Sequence, residues 1–166
     1  MATIPNFDGL DTKFYLVAAS TTVTAVSDIE TAIAAGKEIQ NIVTFGDFDL
    51  GTYAVNTLSV FGGGMVKSLG AKTVSNVAAQ IVFDAANATG QAEIGTMHGD
   101  KTRRILIVQL NDTPTSGATP HPSYLVVQIA ISDLKLPIAM DSSYVYTATL
   151  EFMEIPTKHL AAGTTV

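Results

Sequence analysis

The 166-residue chain has no cysteine and no tryptophan. Without thiols it has no disulfide, no thiolate metal site and no cysteine nucleophile. Charge is also scarce. Nine Lys and Arg with fifteen Asp and Glu make up 14% of the residues, where a soluble domain carries about 25%. Long hydrophobic runs are missing too: the uninterrupted apolar stretches are a few residues each, far short of the ~18 that a membrane-spanning helix needs. Residues 1–10 contain Pro5, Asp8 and Gly9 but no basic start and no apolar centre, so they do not read as a signal peptide. The chain is expected to be made and kept in the cytoplasm until something releases it.

What is present is apolar: 47% hydrophobic residues and a mean hydropathy of +0.32. The length fits one domain with a sizeable core. A lone globule of this size buries only about 70% of its unfolded surface, and the remainder must stay soluble. Charge-poor, apolar surfaces are expected where subunits associate permanently. Composition therefore points to a self-assembling building block rather than a catalyst. The net charge of −6 and a pI near 4.8 argue against gripping nucleic acid. Lys101, Arg103 and Arg104 form the one basic cluster. Repulsion of phosphate is compatible with letting DNA pass.

Strand is the dominant local signal, with Val, Ile, Thr and Tyr in runs bounded by Gly, Pro, Asn and Asp. Residues 13–19 open the fold as a strand. Residues 27–35 read as a short helix, with Ser27 and Glu30 at capping-box spacing, Ile29 and Ile33 one turn apart, and Gly36 as a left-handed C-terminal residue. Extended chain follows over 38–45, with a turn over 46–51. Residues 52–61, the glycines 62–64 and residues 65–83 read as a long hairpin with a flexible glycine-rich region. After a break at 84–87, residues 88–98 predict a modest helix stopped by Gly99. Residues 104–110 form a strand and 111–122 a loop. Residues 124–131 and 143–153 form the last strands. In the final strand Val145, Thr147, Thr149 and Glu151 alternate with Tyr144, Tyr146, Ala148, Leu150 and Phe152, which predicts one wet and one buried face. Residues 158–166 are expected to be a mobile arm.

No catalytic constellation assembles. His98, His121 and His159 are scattered, without metal-ligand spacing, and no G-x-S-x-G elbow exists. The stretch 62–68 (GGGMVKS) imitates a phosphate loop, but Val66 stands where the second glycine belongs. Asp47-x-Asp49-x-Gly51 opens like a calcium loop, but Leu58 occupies the twelfth position, so a tight turn is the reading. The Asn87 and Asn111 glycosylation patterns carry no meaning without a secretion signal. The pairs Asp47/Asp49 and Glu151/Glu154 read as solvent-facing strand-end charges. No catalytic, cofactor-binding or metal residue is nominated, and an enzyme is not expected.

The order of segments carries more. Over 79–110 it is strand (AQIVFD), break (AANATG), helix (QAEIGTMHG) and basic-led strand (DKTRRILIVQL), followed by YLVVQIAISDL at 124–134 and DSSYVYTATLE at 141–151. This layout, with GKEIQNIVTFGDFDLG at 36–51, resembles the major tail tube protein family of long, non-contractile-tailed bacteriophages. The likeness spans about residues 13–155. It implies a mainly β fold, a β-sandwich or partial barrel with one flanking helix, whose subunits close into a multi-subunit β-barrel ring. It also implies an N-terminal arm (1–12), a tail-tube domain (13–156) with an extended hairpin at about 58–73, and a C-terminal arm (157–166). Function would be that of a virion tail subunit, assembled in the host cytoplasm into stacked hexameric rings that conduct DNA. Partners would be other copies, the tape measure, tail terminator and tail tip proteins, and DNA in transit, with no membrane insertion. Near alternatives are another β-sandwich virion or secretion-tube module: a capsid decoration, an adhesive domain, or a contractile-type inner tube. A small hydrolase lacks a convergent polar site, and a glycan binder lacks exposed aromatic platforms, since Tyr144 and Tyr146 read as buried.

Overall fold

The computed structural model describes residues 12–60, 64–83, 90–113, 120–136 and 144–161. The expected arm at 1–11, glycines 62 and 63, the break at 84–87, the helix start at 88–89, the Asn87 pattern, Ser143 and the end of the C-terminal arm lie outside them. So does the middle of the 111–122 loop.

The architecture is mainly β. In chain order the elements are β1 (Lys13–Ala18), α1 (Val26–Ala35), β2 (Lys37–Glu38), β3 (Ile42–Phe45), β4 (Thr52–Val60), β5 (Gly64–Thr73), β6 (Val77–Val82), α2 (Gly90–Asp100), β7 (Arg104–Gln109), β8 (Tyr124–Lys135), β9 (Val145–Phe152) and β10 (Thr157–His159). One antiparallel sheet runs β2-β1-β7-β8-β9-β6-β3, and β10 pairs with the start of β8. Its two end strands are consecutive in the chain, joined by Ile39, Gln40 and Asn41. The Ile39 N–H donates to Phe14 O at one end of the sheet, and the Val82 N–H donates to Asn41 O at the other. The joint turns at Asn41, whose φ of 61° lies in the left-handed region that Asn tolerates. The sheet therefore curls round its own concave face without closing as a barrel.

Sequence period explains which faces are covered. The strand β9 alternates strictly: Tyr146, Ala148, Leu150 and Phe152 are buried, and Val145, Thr147, Thr149 and Glu151 are half-buried outside. By contrast, β7 is buried on both faces from Ile105 to Val108. Leu106 and Val108 point into the concave core with Leu16, Ile81, Val127 and Ile129. Ile105 and Ile107 point outward beneath Ile29 and Ala32 of α1. Helix α1 thus covers the outside of β1, β7 and the first part of β8, and α2 fills the concave side with Ile94 and Met97, both essentially inaccessible. A row of rings, Phe14–Phe45–Phe48–Phe152, joins the two ends of the curl, with centroids 4.8, 6.4 and 4.9 Å apart.

Both helices expected from the sequence exist, but their ends differ from expectation. Helix α1 begins at Val26, so Ser27 lies inside the first turn and the Ser27–Glu30 capping box does not form. Instead the Asp28 carboxylate accepts from the Ala25 N–H and the Thr24 hydroxyl, both at 2.9 Å, which holds its pKa below the usual carboxylate value. Gly36 is extended (φ −77°), not left-handed. Its requirement is space: a Cβ there would lie 3.2 Å from Val17 Cγ2 and 3.1 Å from Ala32 O. Helix α2 runs through His98 and Gly99 to Asp100, and the left-handed stop is Lys101 (φ 54°). The Thr102 N–H then reaches back to Met97 O at 3.1 Å, closing a Schellman turn.

The expected strand 65–83 is two strands in two sheets. Chain 64–73 pairs with 52–60 in a separate two-stranded ribbon, β4-β5. Chain 77–82 pairs with β3 and β9 in the curled sheet. Asp49 fixes the ribbon's base, accepting from Gly51 N–H on the way in (2.7 Å) and Ser75 N–H on the way out (2.6 Å). At its far end the chain adds β10, so residues 157–159 of the expected C-terminal arm lie in the sheet.

Candidate assembly interface

Two surfaces are unfinished. The first is the ribbon. Every residue from Thr52 to Ser59 and from Met65 to Leu69 is exposed. Pairs Val55–Leu69, Thr57–Lys67 and Ser59–Met65 share one face, and Asn56–Ser68 and Leu58–Val66 share the other. Both faces therefore show large apolar groups: Leu58 is 69% exposed, Leu69 68% and Met65 71%. An isolated two-stranded hairpin is marginal in water and needs packing to persist. Among the described elements its two strands pack mainly against each other.

The second surface is the outside of β8 (C-terminal part), β9, β6 and β3, which α1 does not reach. It is a field of small and hydroxyl- or amide-bearing groups: Thr44, Ala78, Gln80, Ser132, Thr147 and Thr149. Its charges are engaged locally. Lys135 Nζ lies 2.6 Å from Asp133 Oδ2, and Glu151 accepts from the Ser132 hydroxyl at 2.7 Å and from Asn76.

The residues singled out by sequence for chemistry do not converge. Asp49 is the ribbon clamp just described, its carboxyl lowered first by the Gly51 N–H and then by Ser75, and Asp47 takes no part. Glu154 accepts from the Gln128 N–H at 3.1 Å, away from Glu151's partners. His121 Nδ1 sits 2.9 Å from Pro122 O and its ring stacks near Tyr124. His98 is exposed on α2, and His159 Nε2 is buried without a hydrogen-bond partner among the described residues. Lys67 and Ser68 lie on β5 rather than at a helix start. Among the described residues no group of three or more His, Cys, Asp or Glu could hold a metal ion. No described helix is long and apolar enough to cross a membrane. Tyr144 is 49% exposed, contrary to expectation, while Tyr146 is buried, its hydroxyl without a partner among the described residues and its pKa pushed by burial up to about 12.

The strongest polar constellation was missed from sequence. Glu93, 8% exposed, receives Lys37 Nζ on Oε2 at 2.5 Å and Arg104 Nε and Nη2 on Oε1 at 2.6 Å. The Lys37 hydrogen bond, then Arg104's, hold its pKa below the ordinary Glu value against the opposing effect of burial. The triad ties α2 to β2 and β7, and it takes Arg104 out of the basic cluster. Its role is structural.

The chain is similar to a chain in the SPP1 tail tube solved by solid-state NMR and cryo-EM, with TM-score 0.63 and 10% identity over 93% of this chain and 80% of that one. It is also similar to a chain in the 6-fold symmetrised baseplate of the anti-feeding prophage (TM-score 0.58, 6% identity, 96% and 97% covered). A chain in that particle's tube-terminating cap matches as well (0.58, 13%, 97% and 93%). At such identities the likeness is one of fold, and at that level the resemblance read from the sequence holds. No protein-family profile and no curated protein sequence matches the chain.

Proposed function

We propose that this chain is the structural subunit of a phage-type tail tube, residing in the virion tail and assembling into stacked hexameric rings that form a hollow conduit for DNA. The observation that carries this is the β4-β5 ribbon. A two-stranded element with exposed apolar side chains on both faces has a physical reason to exist only if other subunits cover it. The tube-fold likeness supports the same reading.

The uncovered outer face of β3, β6, β9 and β8 is the natural lining of the conduit. Joined edge to edge between copies, these sheets would remove exposed strand edges. Hydroxyls, amides and methyls offer a passing polyanion little to hold, and the described cation there, Lys135, is already paired with Asp133. Non-adhesion thus comes from neutrality on this face, with the net charge of −6 acting at longer range. Tape measure, tail terminator and tail tip proteins are the expected further partners.

Cryo-electron microscopy of the purified chain, concentrated and seeded with tail tips, tests this. Hollow stacked rings are expected. A chain that stays monomeric under every such condition would overturn the reading. The likeness to anti-feeding prophage baseplate and cap chains keeps a second version open, a tube subunit of another particle type such as a contractile-type inner tube; a sheath around the tube in the native particle would select it.

A further inference from the structure

We propose that Asp49 is a positioning residue for assembly: its carboxylate holds both legs of the β4-β5 ribbon and sets the direction in which the ribbon leaves the body before a second copy arrives. This rests on the tube-subunit reading and assigns the aiming of the ribbon to one side chain.

Both legs are anchored in the body just short of the ribbon. On the way in, the Phe48 ring lies 6.4 Å from Phe45 and 4.9 Å from Phe152. On the way out, Val74 packs against the concave core. The ribbon's own ladder starts with Thr52 opposite Thr73. Residues 49–51 and 74–76 therefore form a neck, and neither run belongs to a strand. The backbone bond on the body side of the neck is Gly46 N–H to Ala78 O, at 2.9 Å. Between it and the first ladder pair, Asp49 makes the crossing. Its Oδ1 accepts from the Gly51 N–H at 2.7 Å, closing the turn of its own leg, and its Oδ2 accepts from the Ser75 N–H of the other leg at 2.6 Å. Among the described residues no other hydrogen bond crosses there. Gly51 makes the turn at φ 93°, where glycine carries no steric penalty. The two N–H groups, Gly51's first, hold the carboxyl below its usual value, so both oxygens remain acceptors at neutral pH.

Leverage makes this neck decisive. The nine residues of β4 reach about 30 Å from it, at ~3.3 Å per residue. A swing of about 10° at the neck moves the far end by about 5 Å, a full spacing between neighbouring strands. Each such swing takes the subunit out of the docking-competent population, and apparent affinity falls with that fraction. Stability is a separate matter. Ser75 is exposed and Gly51 half-buried, so water can take the place of the carboxylate at both N–H groups. The buried clusters do not include Asp49.

The chain has no native cysteine, so spin labels on Thr57→Cys in the ribbon and Glu30→Cys on α1 report a single distance. Double electron–electron resonance on dispersed protein reads its distribution in the parent, Asp47→Asn, Asp49→Asn and Asp49→Ala backgrounds. Asn keeps one acceptor oxygen and Ala none. The distribution should widen from parent to Asp49→Asn to Asp49→Ala, with Asp47→Asn matching the parent. Without labels, Asp49→Ala should need about 10-fold more protein to form tubes and Asp49→Asn an intermediate amount, while the dispersed variants melt with the parent. An Asp49→Ala distribution as narrow as the parent's, or tubes at the parent's concentration, overturns this inference and leaves the tube reading standing. A melting midpoint that falls in step with assembly does the same, because it makes Asp49 merely structural. Failure of the unmodified chain to form rings or tubes overturns both.

Discussion

Two glycines of α2 should respond in opposite directions to the same substitution. Gly95 is exposed, and a Cβ added there meets nothing within 4 Å. Replacing it by Ala removes backbone entropy from the unfolded chain and should stabilise by about 0.5–1 kcal/mol. Gly90 is buried at the start of the helix, and its Cβ would lie 2.6 Å from the carbonyl carbon of Glu38 and 2.7 Å from Ile39 Cα. Those are backbone atoms, so no rotamer change relieves them. The helix cannot slide away either, because Glu93, one turn on, is held by Lys37 and Arg104. An overpacked site of this kind costs about 1–3 kcal/mol, and a first-turn position recovers little propensity. With roughly 2–4 °C per kcal/mol for a chain of this size, Gly95→Ala should raise Tm by about 1–4 °C and Gly90→Ala should lower it by roughly 2–12 °C. Differential scanning calorimetry and urea midpoints on dilute, unassembled protein measure both. A Gly90→Ala chain as stable as the parent would refute the close approach of α2 to the 38–39 backbone.

Three further outcomes follow from single contacts. Glu93→Gln leaves Lys37 and Arg104 without their counter-charge and should destabilise by about 2–4 kcal/mol at pH 7, somewhat below the range for fully buried pairs because Lys37 is half in water. Since Glu93's folded pKa lies below its ordinary value of 4.5, that contribution is present above pH 4.5 and fades as pH falls through the folded value; urea titrations should find parent and variant converging in acid. Tyr146→Phe removes a buried hydroxyl that has no partner among the described residues, so it should be neutral or stabilise by up to about 1 kcal/mol, and a loss above 1 kcal/mol by denaturant midpoint would contradict that. Lys101→Gly should gain about 0.5–1 kcal/mol, because its left-handed φ of 54° strains any side chain, whereas Gly99→Ala should not lose stability through backbone strain.

Local pattern made part of the fold legible. The period-two alternation of β9 and the turn-bounded runs of β7 and β8 each declare a strand, and Ile29 marks the buried stripe of α1. What stayed hidden depends on partners distant in sequence. Glu93 meets Arg104 eleven residues on and Lys37 fifty-six residues back, so no spacing rule exposes the triad. The division of 65–83 into two strands occurs at Val74–Ser75–Asn76, with no Gly or Pro to announce it; Asp49's grip on Ser75 and the pairing of Val77 with Leu150 decide it. Gly36 and Gly99 looked like helix stops by residue type, yet one serves close packing and the other lies inside the helix. Tyr144 has the period of a buried residue but stands just beyond β9, where the concave core has ended. The candidate interface was foreshadowed by low charge, but its division into ribbon and uncovered sheet face required the register.

Amide hydrogen exchange across residues 52–73, compared between dispersed and assembled protein, tests the central claim most directly. If neighbouring copies cover the ribbon, its amides should exchange within seconds in the lone chain and slow at least 100-fold on assembly, with β7 slow in both states. A ribbon that exchanges equally fast in both would contradict the account.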